Sequence, residues 1–344
     1  MKIKFKEGFY YFTTVFVFFL MFFPYIVSAE ERTLCPVGKT VGITVGIEGV
    51  SVVNVTEFES TNGEVSSPAA EAGMLPGDII LAIDGKAINS AADLEKFTDN
   101  SKGKCMTFEI LRNDKTCEVN VSALECKADN KYRIGVWIKD SSSGIGTLTY
   151  YDKKTGEFGA LGHGICDENN CLIDITYGNI HDTDVSSLRK GEAGIPGELI
   201  AIFEDDKNSI GEISVNSDAG IYGNLSNEYN FESPVGEIPI AKREEVTEGD
   251  VTILSNIEGK NVSEYSAKIT KINNDKNDSK GMLIKITDDR LLDKTGGIIR
   301  GMSGSPIIQN GKFVGAVTHV LLNDPSRGYG IFIENMLTEA EKIK

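Results

Sequence analysis

A serine held between glycines, Gly301-Met302-Ser303-Gly304-Ser305-Pro306, stands directly before the apolar pair Ile307-Ile308. A hydroxyl is a poor nucleophile until a base takes its proton, and attack on a carbonyl needs N–H donors aimed at the developing oxyanion. Glycines on either side allow the tight turn that aligns such donors. The pattern reads as a nucleophile for acyl transfer, with the backbone N–H groups of Gly301 and Ser303 as oxyanion donors. A plain glycine-rich turn between two strands is the alternative. Ser305 is the rival hydroxyl, but Pro306 places it in the structural half of the turn.

A base must come from three histidines. His163 lies in Gly159-Ala160-Leu161-Gly162-His163-Gly164-Ile165, a small-residue turn after an aromatic strand. His181 sits in a polar Asn-Ile-His-Asp-Thr segment and reads as surface. His319 ends the apolar run Phe313–Thr318 and reads as a satisfied strand histidine. His163 is therefore the favoured base. For an orienting acid, Asp288 and Asp289 both follow the apolar strand Met282–Thr287, and spacing alone does not choose between them.

The elements that must position these groups are mostly strands. From Tyr132 onward, short apolar runs alternate with glycine, asparagine and aspartate turns, and Pro196-Gly197 and Ser233-Pro234 mark loops within that region. Upstream, Ala72-Gly73-Met74-Leu75-Pro76-Gly77-Asp78 delivers the strand Ile79–Ile83, which turns at Asp84-Gly85. Ala91–Phe97 suits a short helix capped by Asn89 or Ser90, and Met106–Leu111 with Cys117–Val121 suits a hairpin turning at Asn113-Asp114. This segment, residues 38–125, resembles a PDZ domain of the bacterial, protease-associated type. Such domains bind peptides by strand addition and catch a terminal carboxylate on backbone N–H groups. The matching loop would be Val41, Gly42 and Ile43, continuing through Thr44-Val45; the alternative is an ordinary first strand.

The first residues look like targeting rather than fold. Lys2, Lys4 and Lys6 precede an uncharged run of 19 residues from Phe9 to Val27, and Val27-Ser28-Ala29 offers a cleavage site before Glu30. The run is also long enough to cross a bilayer, so residues 1–29 are either a signal peptide or a retained anchor. In both cases the rest of the chain is exported. Six cysteines, at 35, 105, 117, 126, 166 and 171, would permit disulfides outside the cytoplasm. Cys166 and Cys171 flank a turn beside His163, and the spacing His-x2-Cys-x4-Cys raises zinc as an alternative with no evident fourth ligand. No cofactor is called for by the other motifs. A formal net charge of −16 argues against nucleic acid as a partner.

The runs Tyr132-Arg133-Ile134-Gly135, Gly144-Ile145-Gly146-Thr147, Gly159–His163, Ile284–Asp288, Thr295-Gly296-Gly297-Ile298 and Gly301–Ile308 together resemble the SpoIVB serine peptidases of endospore-forming bacteria. That resemblance implies a mainly β fold: a trypsin-like double β-barrel over 130–344, preceded by the small α/β PDZ-like domain. Position by position it implies Ser303 as nucleophile, His163 as base and Asp288, not Asp289, as orienting acid. It also implies self-cleavage near the N-terminus. The protein substrate would be a regulator of an intramembrane protease that activates a late sporulation sigma factor, cut between the membranes around the forespore. A non-catalytic PDZ scaffold that binds peptide tails is the other reading.

Overall fold

The structure, a computed structural model, describes residues 31–343 apart from 114, 167–169, 204–208, 227, 228, 230, 232 and 274–278. The targeting segment expected over 1–29 lies outside the described residues. Among the described residues no helix is long and apolar enough to cross a membrane.

The first element of the described residues is one long strand, β1 (Thr33–Val55), whose alternating Val41, Ile43 and Val45 are all buried. It then forms β2 (Ile79–Ile83), helix α1 (Ala91–Ser101), and the hairpin β3 (Cys105–Arg112) and β4 (Lys115–Ser122). Ser90 caps α1, its hydroxyl accepting the Asp93 N–H at 3.0 Å. A second long strand, β5 (Val136–Tyr151), returns antiparallel to β1 over almost its whole length, from Val55↔Val136 to Cys35↔Tyr151.

Four further strands, β6 (Glu157–Ala160), β7 (Ile175–Asp182), β8 (Ser209–Ser217) and β9 (Gly220–Leu225), complete a closed ring in the order β5-β6-β9-β8-β7-β1. Its core includes Cys35, Val37, Val41, Ile43, Val45, Leu148, Phe158 and Ile180. A second closed barrel follows: β10 (Gly249–Glu258), β11 (Asn261–Ile272), β12 (Met282–Ile286), β13 (Pro306–Gln309), β14 (Lys312–Leu321) and β15 (Asp324–Phe332). Helix α2 (Asp289–Thr295) interrupts it between β12 and β13. The architecture is thus mainly β, with two six-stranded barrels.

The C-terminal helix α3 (Ile333–Ala340) is packed against both barrels. Ile333, Met336, Leu337 and Ala340 recur at helical spacing and are buried with Leu34, Tyr150 and Tyr222 of the first barrel and Phe313 of the second. Burying a leucine- or methionine-sized side chain is worth about 1.5–3 kcal/mol, so this helix holds the two barrels together.

The PDZ-like unit does not simply precede the peptidase. Its separate core runs from Val50 and Val52 to Ile134, while Val41, Ile43 and Val45 belong to the first barrel. It is an excursion between β1 and β5, and both strands are shared: their barrel halves pair over 35–46 with 141–151, their outer ends over 51–55 with 136–139. Val41, Gly42 and Ile43 are consequently not a peptide-binding loop. They pair with Gly146, Ile145 and Gly144 on one side and with Asp182, His181 and Ile180 on the other. A strand bonded on both edges has no backbone left for a peptide.

Candidate active site

Ser303 occupies the turn between α2 and β13. Gly301 and Gly304 both have φ of 97°. A Cβ at residue 304 would lie 2.2 Å from the Thr147 carbonyl oxygen and 2.7 Å from the Leu161 nitrogen, so only glycine fits there. That close approach lets β5 clasp the turn. The Thr147 N–H donates to the Ser303 carbonyl at 2.9 Å, and the buried Thr147 hydroxyl donates to the Gly301 carbonyl at 2.7 Å. The first barrel therefore fixes the serine turn of the second.

The backbone donors of this turn divide sharply. The N–H of Arg300 goes to Gly197, that of Met302 to Ile299, that of Gly304 to Val317 and that of Ser305 to Met302. Among the described residues those of Gly301 and Ser303 meet no acceptor. These are the two expected to serve an oxyanion. Ser305 is fully buried, its hydroxyl 3.2 Å from that of Ser255, which leaves it no access to a substrate.

His163 follows β6 through Leu161 and Gly162, both with positive φ, and lines the same clefts as Ser303. Its Nδ1 lies 2.9 Å from the Gly164 carbonyl. A carbonyl only accepts, so Nδ1 carries the proton and Nε2 is left as the basic nitrogen. Burial pushes the His163 pKa below the usual histidine value, against a smaller opposing pull from the Gly164 carbonyl. The imidazole is neutral at neutral pH, the state a general base needs.

Ser303 and His163 line two adjoining clefts. The larger, about 360 Å³, is walled by apolar Ile43, Val45, Ile145, Leu161 and Ile165 and reached by Arg300. The smaller, about 240 Å³, is formed with Ile298, Ile299, Thr318 and His319. In this arrangement the Ser303 hydroxyl donates to the Thr318 carbonyl at 2.7 Å.

Two histidines differ from expectation. His319 is not a bystander of its strand: its ring lies 4.9 Å from that of His163, centroid to centroid. Although its outer face is exposed, the cleft wall desolvates it and His163 repels its charge, which together bring its pKa to about 4. His181 is not on the surface. Flanked by β1 and β8, it is fully buried and stacks on Phe203 at 5.3 Å.

Asp288 is buried, but its bonds lead away from His163. It caps α2, and its carboxylate accepts the N–H groups of Arg290 and Ser266 and both Nε and Nη2 of Arg290 at 2.8–3.1 Å. The bidentate guanidinium, with the two backbone donors, holds the carboxyl at about 2, against the desolvation that would raise it. Asp288 lines neither cleft around Ser303. What it positions is α2, the element that leads into the nucleophile turn. Asp289 is the first residue of that helix.

Cys166 lines the larger cleft at the start of a short hairpin, with Cys166 opposite Leu172 and the Ile173 N–H bonded to the Ile165 carbonyl. Asp167, Glu168 and Asn169 lie outside the described residues. Cys117 faces Ile110 and Cys105 faces Ser122 in the β3–β4 hairpin, so these two cysteines are not cross-strand partners. Among the described residues no cluster of three or more histidine, cysteine or acidic side chains could hold a metal ion.

The chain is similar to several known proteins. Residues 130–337 match the family model described as SpoIVB peptidase S55, and residues 36–123 match that of a PDZ domain. A protein of Mesorhizobium japonicum named as a zinc metalloprotease is 32% identical over 79 residues, which cover 23% of this chain and 21% of that protein. A "Probable periplasmic serine endoprotease DegP-like" of Chlamydia trachomatis is 33% identical over 76 residues, 22% of this chain and 14% of its own. The matched region thus spans about a fifth or less of these curated relatives. Among solved structures, the active form of the Rv3671c protease from M. tuberculosis aligns with 59% of this chain and 74% of its own, at 15% identity and a TM-score of 0.33.

Proposed function

The chain belongs to the SpoIVB peptidase S55 family, and on that premise we propose that it is a serine endopeptidase with Ser303 as nucleophile and His163 as general base. One observation carries the reading: beside Ser303, and in reach of a cleft shared with His163, the N–H groups of Gly301 and Ser303 meet no acceptor among the described residues. A substrate carbonyl oxygen placed between those donors would be stabilised as it becomes an oxyanion.

In the first step the Ser303 hydroxyl turns from the Thr318 carbonyl toward Nε2 of His163, gives up its proton and attacks the carbonyl carbon. His163 then passes that proton to the departing amine, leaving an acyl-serine. A water molecule, deprotonated by the same nitrogen, releases the acid and restores Ser303. The Gly164 carbonyl holds the imidazole in the required tautomer. Asp288 acts at one remove, by capping the helix that sets the turn. The apolar walls of the larger cleft favour an aliphatic substrate side chain beside the scissile bond.

The finer reading follows from the family and from the export signal at the N-terminus. The enzyme works outside the cytoplasm, processes its own N-terminal region, and cuts a protein that regulates an intramembrane protease during sporulation. Catalysis is tested by treating the purified full chain with a fluorophosphonate beside Ser303→Ala and His163→Ala, and sequencing the N-termini of all three. Wild type should label and shorten. Ser303→Ala should neither label nor shorten, and His163→Ala should label at least a hundredfold more slowly. Equal labelling of wild type and Ser303→Ala would remove Ser303 as nucleophile. A wild type that neither labels nor shortens would favour the peptide-binding scaffold.

A further inference from the structure

One edge of β5 is open along most of its length. Its other edge pairs with β1 from Val136 to Tyr151, with register shifts along the way, whereas on the open side β6 bonds it only from Leu148 to Tyr151. Among the described residues no strand covers that side from Val136 to Gly146. Such an edge is a template for an added strand.

The two ends of this edge are specific. At one end lies a cavity of about 580 Å³ between α1 and the start of β5, lined by Leu94, Thr98, Ile134, Val136 and Ile138 and by the exposed Trp137. The turn at its mouth presents donors. The Ile134 carbonyl is taken by the Ala69 N–H at 2.8 Å, and the Gly135 carbonyl by the Thr56 N–H at 2.9 Å and the Ser67 hydroxyl at 3.1 Å. The Thr56 bond makes Val55↔Val136 a wide pair, so the N–H and C=O of Val136 point away from β1. Gly135 has φ of 77°, and a Cβ there would meet the Thr56 carbonyl oxygen at 2.5 Å. At the other end the edge stops at the nucleophile, because the next N–H, that of Thr147, is bonded to the Ser303 carbonyl. Just before it, Ser142, Ser143, Gly144 and Ile145 line the larger cleft.

We propose that the open edge of β5 is a ruler: a substrate's extended C-terminal tail is added antiparallel along it, with its carboxylate at the Gly135 turn and its scissile bond at Ser303. This rests on the peptidase reading. The carboxylate belongs at Gly135 because that turn offers N–H donors with its carbonyls already engaged. An antiparallel strand anchored there runs N-terminally toward Gly146, and the edge from Val136 to Gly146 spans about 34 Å at 3.4 Å per residue. The cut therefore falls about ten residues from the carboxyl end.

The full chain is incubated with randomised peptides of about twenty residues, long enough to cover the edge, ending in a free carboxylate or a carboxamide. Cut positions are read by mass spectrometry, with fluorophosphonate labelling of Ser303 in parallel. Cuts should cluster about ten residues from the free carboxyl end, and amidation should slow them about tenfold and scatter them. In the best peptide, N-methylation at alternate residues of the spacer should suppress cutting, and methylation at the residues between should not, since every second amide faces the edge. An enzyme that labels but cuts no peptide, or cuts at positions unrelated to the carboxyl end, or responds alike to methylation at every residue, overturns the ruler. A chain that does not label overturns the peptidase reading, and the ruler with it.

Discussion

Replacing Thr147 by valine keeps its volume and removes one hydroxyl. That hydroxyl is buried and donates to the Gly301 carbonyl at 2.7 Å, while the Thr147 N–H, which valine retains, holds the Ser303 carbonyl. A buried carbonyl deprived of its donor costs about 1–3 kcal/mol. The turn can recover part of this by rotating the peptide after Gly301, and that rotation also moves the Gly301 N–H out of the oxyanion position. Losing one such donor outright costs about 10²–10³ in rate, so partial misalignment should lower kcat about 10–100-fold. The smaller cleft and Arg300 are unaffected, and KM should stay within about threefold. A loss of 1–3 kcal/mol in a chain of this size should lower Tm by about 1–4 °C. The assay is peptide turnover well below Tm, with the fluorophosphonate labelling rate of Ser303 as a second measure of the same donors. Full kcat with a lowered Tm would show that the clasp between the barrels supports the fold alone. Wild-type values of both would show that the hydroxyl carries no load at all.

Three further perturbations test the remaining parts of the site. Turnover needs neutral His163, and burial holds its pKa below the usual 6.5, so the acid limb of kcat/KM should lie below that value; Ile165→Ser, which wets the cleft wall, should move the limb upward. Asp288→Asn retains a capping side chain but loses the charged pair with Arg290. Because its folded pKa is depressed, Asp288 stabilises the fold above its unfolded value near 4 and ceases to do so as pH falls through about 2; that difference corresponds to about 2 kcal/mol. Urea titrations from pH 7 to pH 2 should therefore show wild type and variant converging at the acid end, and a constant gap would refute the assignment. Gly304→Ala forces a methyl against the Thr147 carbonyl at a φ of 97° and should slow Ser303 labelling at least a hundredfold; near-normal labelling would mean that the turn can relax without loss of function.

What could be read from the sequence was what neighbouring residues decide. The Ser303 turn, with its two N–H groups that meet no acceptor among the described residues, is set by glycines within a few residues, and the His163 bend by Leu161-Gly162, so both are legible locally. The helix Ala91–Ser101 and its Ser90 cap are equally local. His319 and His181 were misjudged because their neighbours come from distant strands. Polar flanks suggested an exposed His181, but β1 and β8 lie on either side of it. The apolar run before His319 says nothing of the first-barrel turn that brings His163 against it. Asp288 did carry a local signal: an aspartate just before a helix is a capping residue, and Arg290 two positions on is within reach of its carboxylate.

The placement of Val41–Ile43 shows the limit most clearly. Alternation in Val41-Gly42-Ile43-Thr44-Val45 announces a strand but not its partners, and a strand of this composition would suit either a PDZ sheet or a barrel. Only the register, with β5 on one side and β7 on the other, puts it in the barrel. The consequence is mechanical. A domain joined by a flexible linker could present a tail at any distance from Ser303, whereas a unit whose two connections are the paired strands β1 and β5, with a register shift between Gly46 and Ser51, cannot reorient without disturbing the β1–β5 ladder itself. The distance between the Gly135 turn and Ser303 is then a fixed property of β5, which is why a dependence of cleavage on tail length, rather than on tail affinity alone, is the response this topology demands.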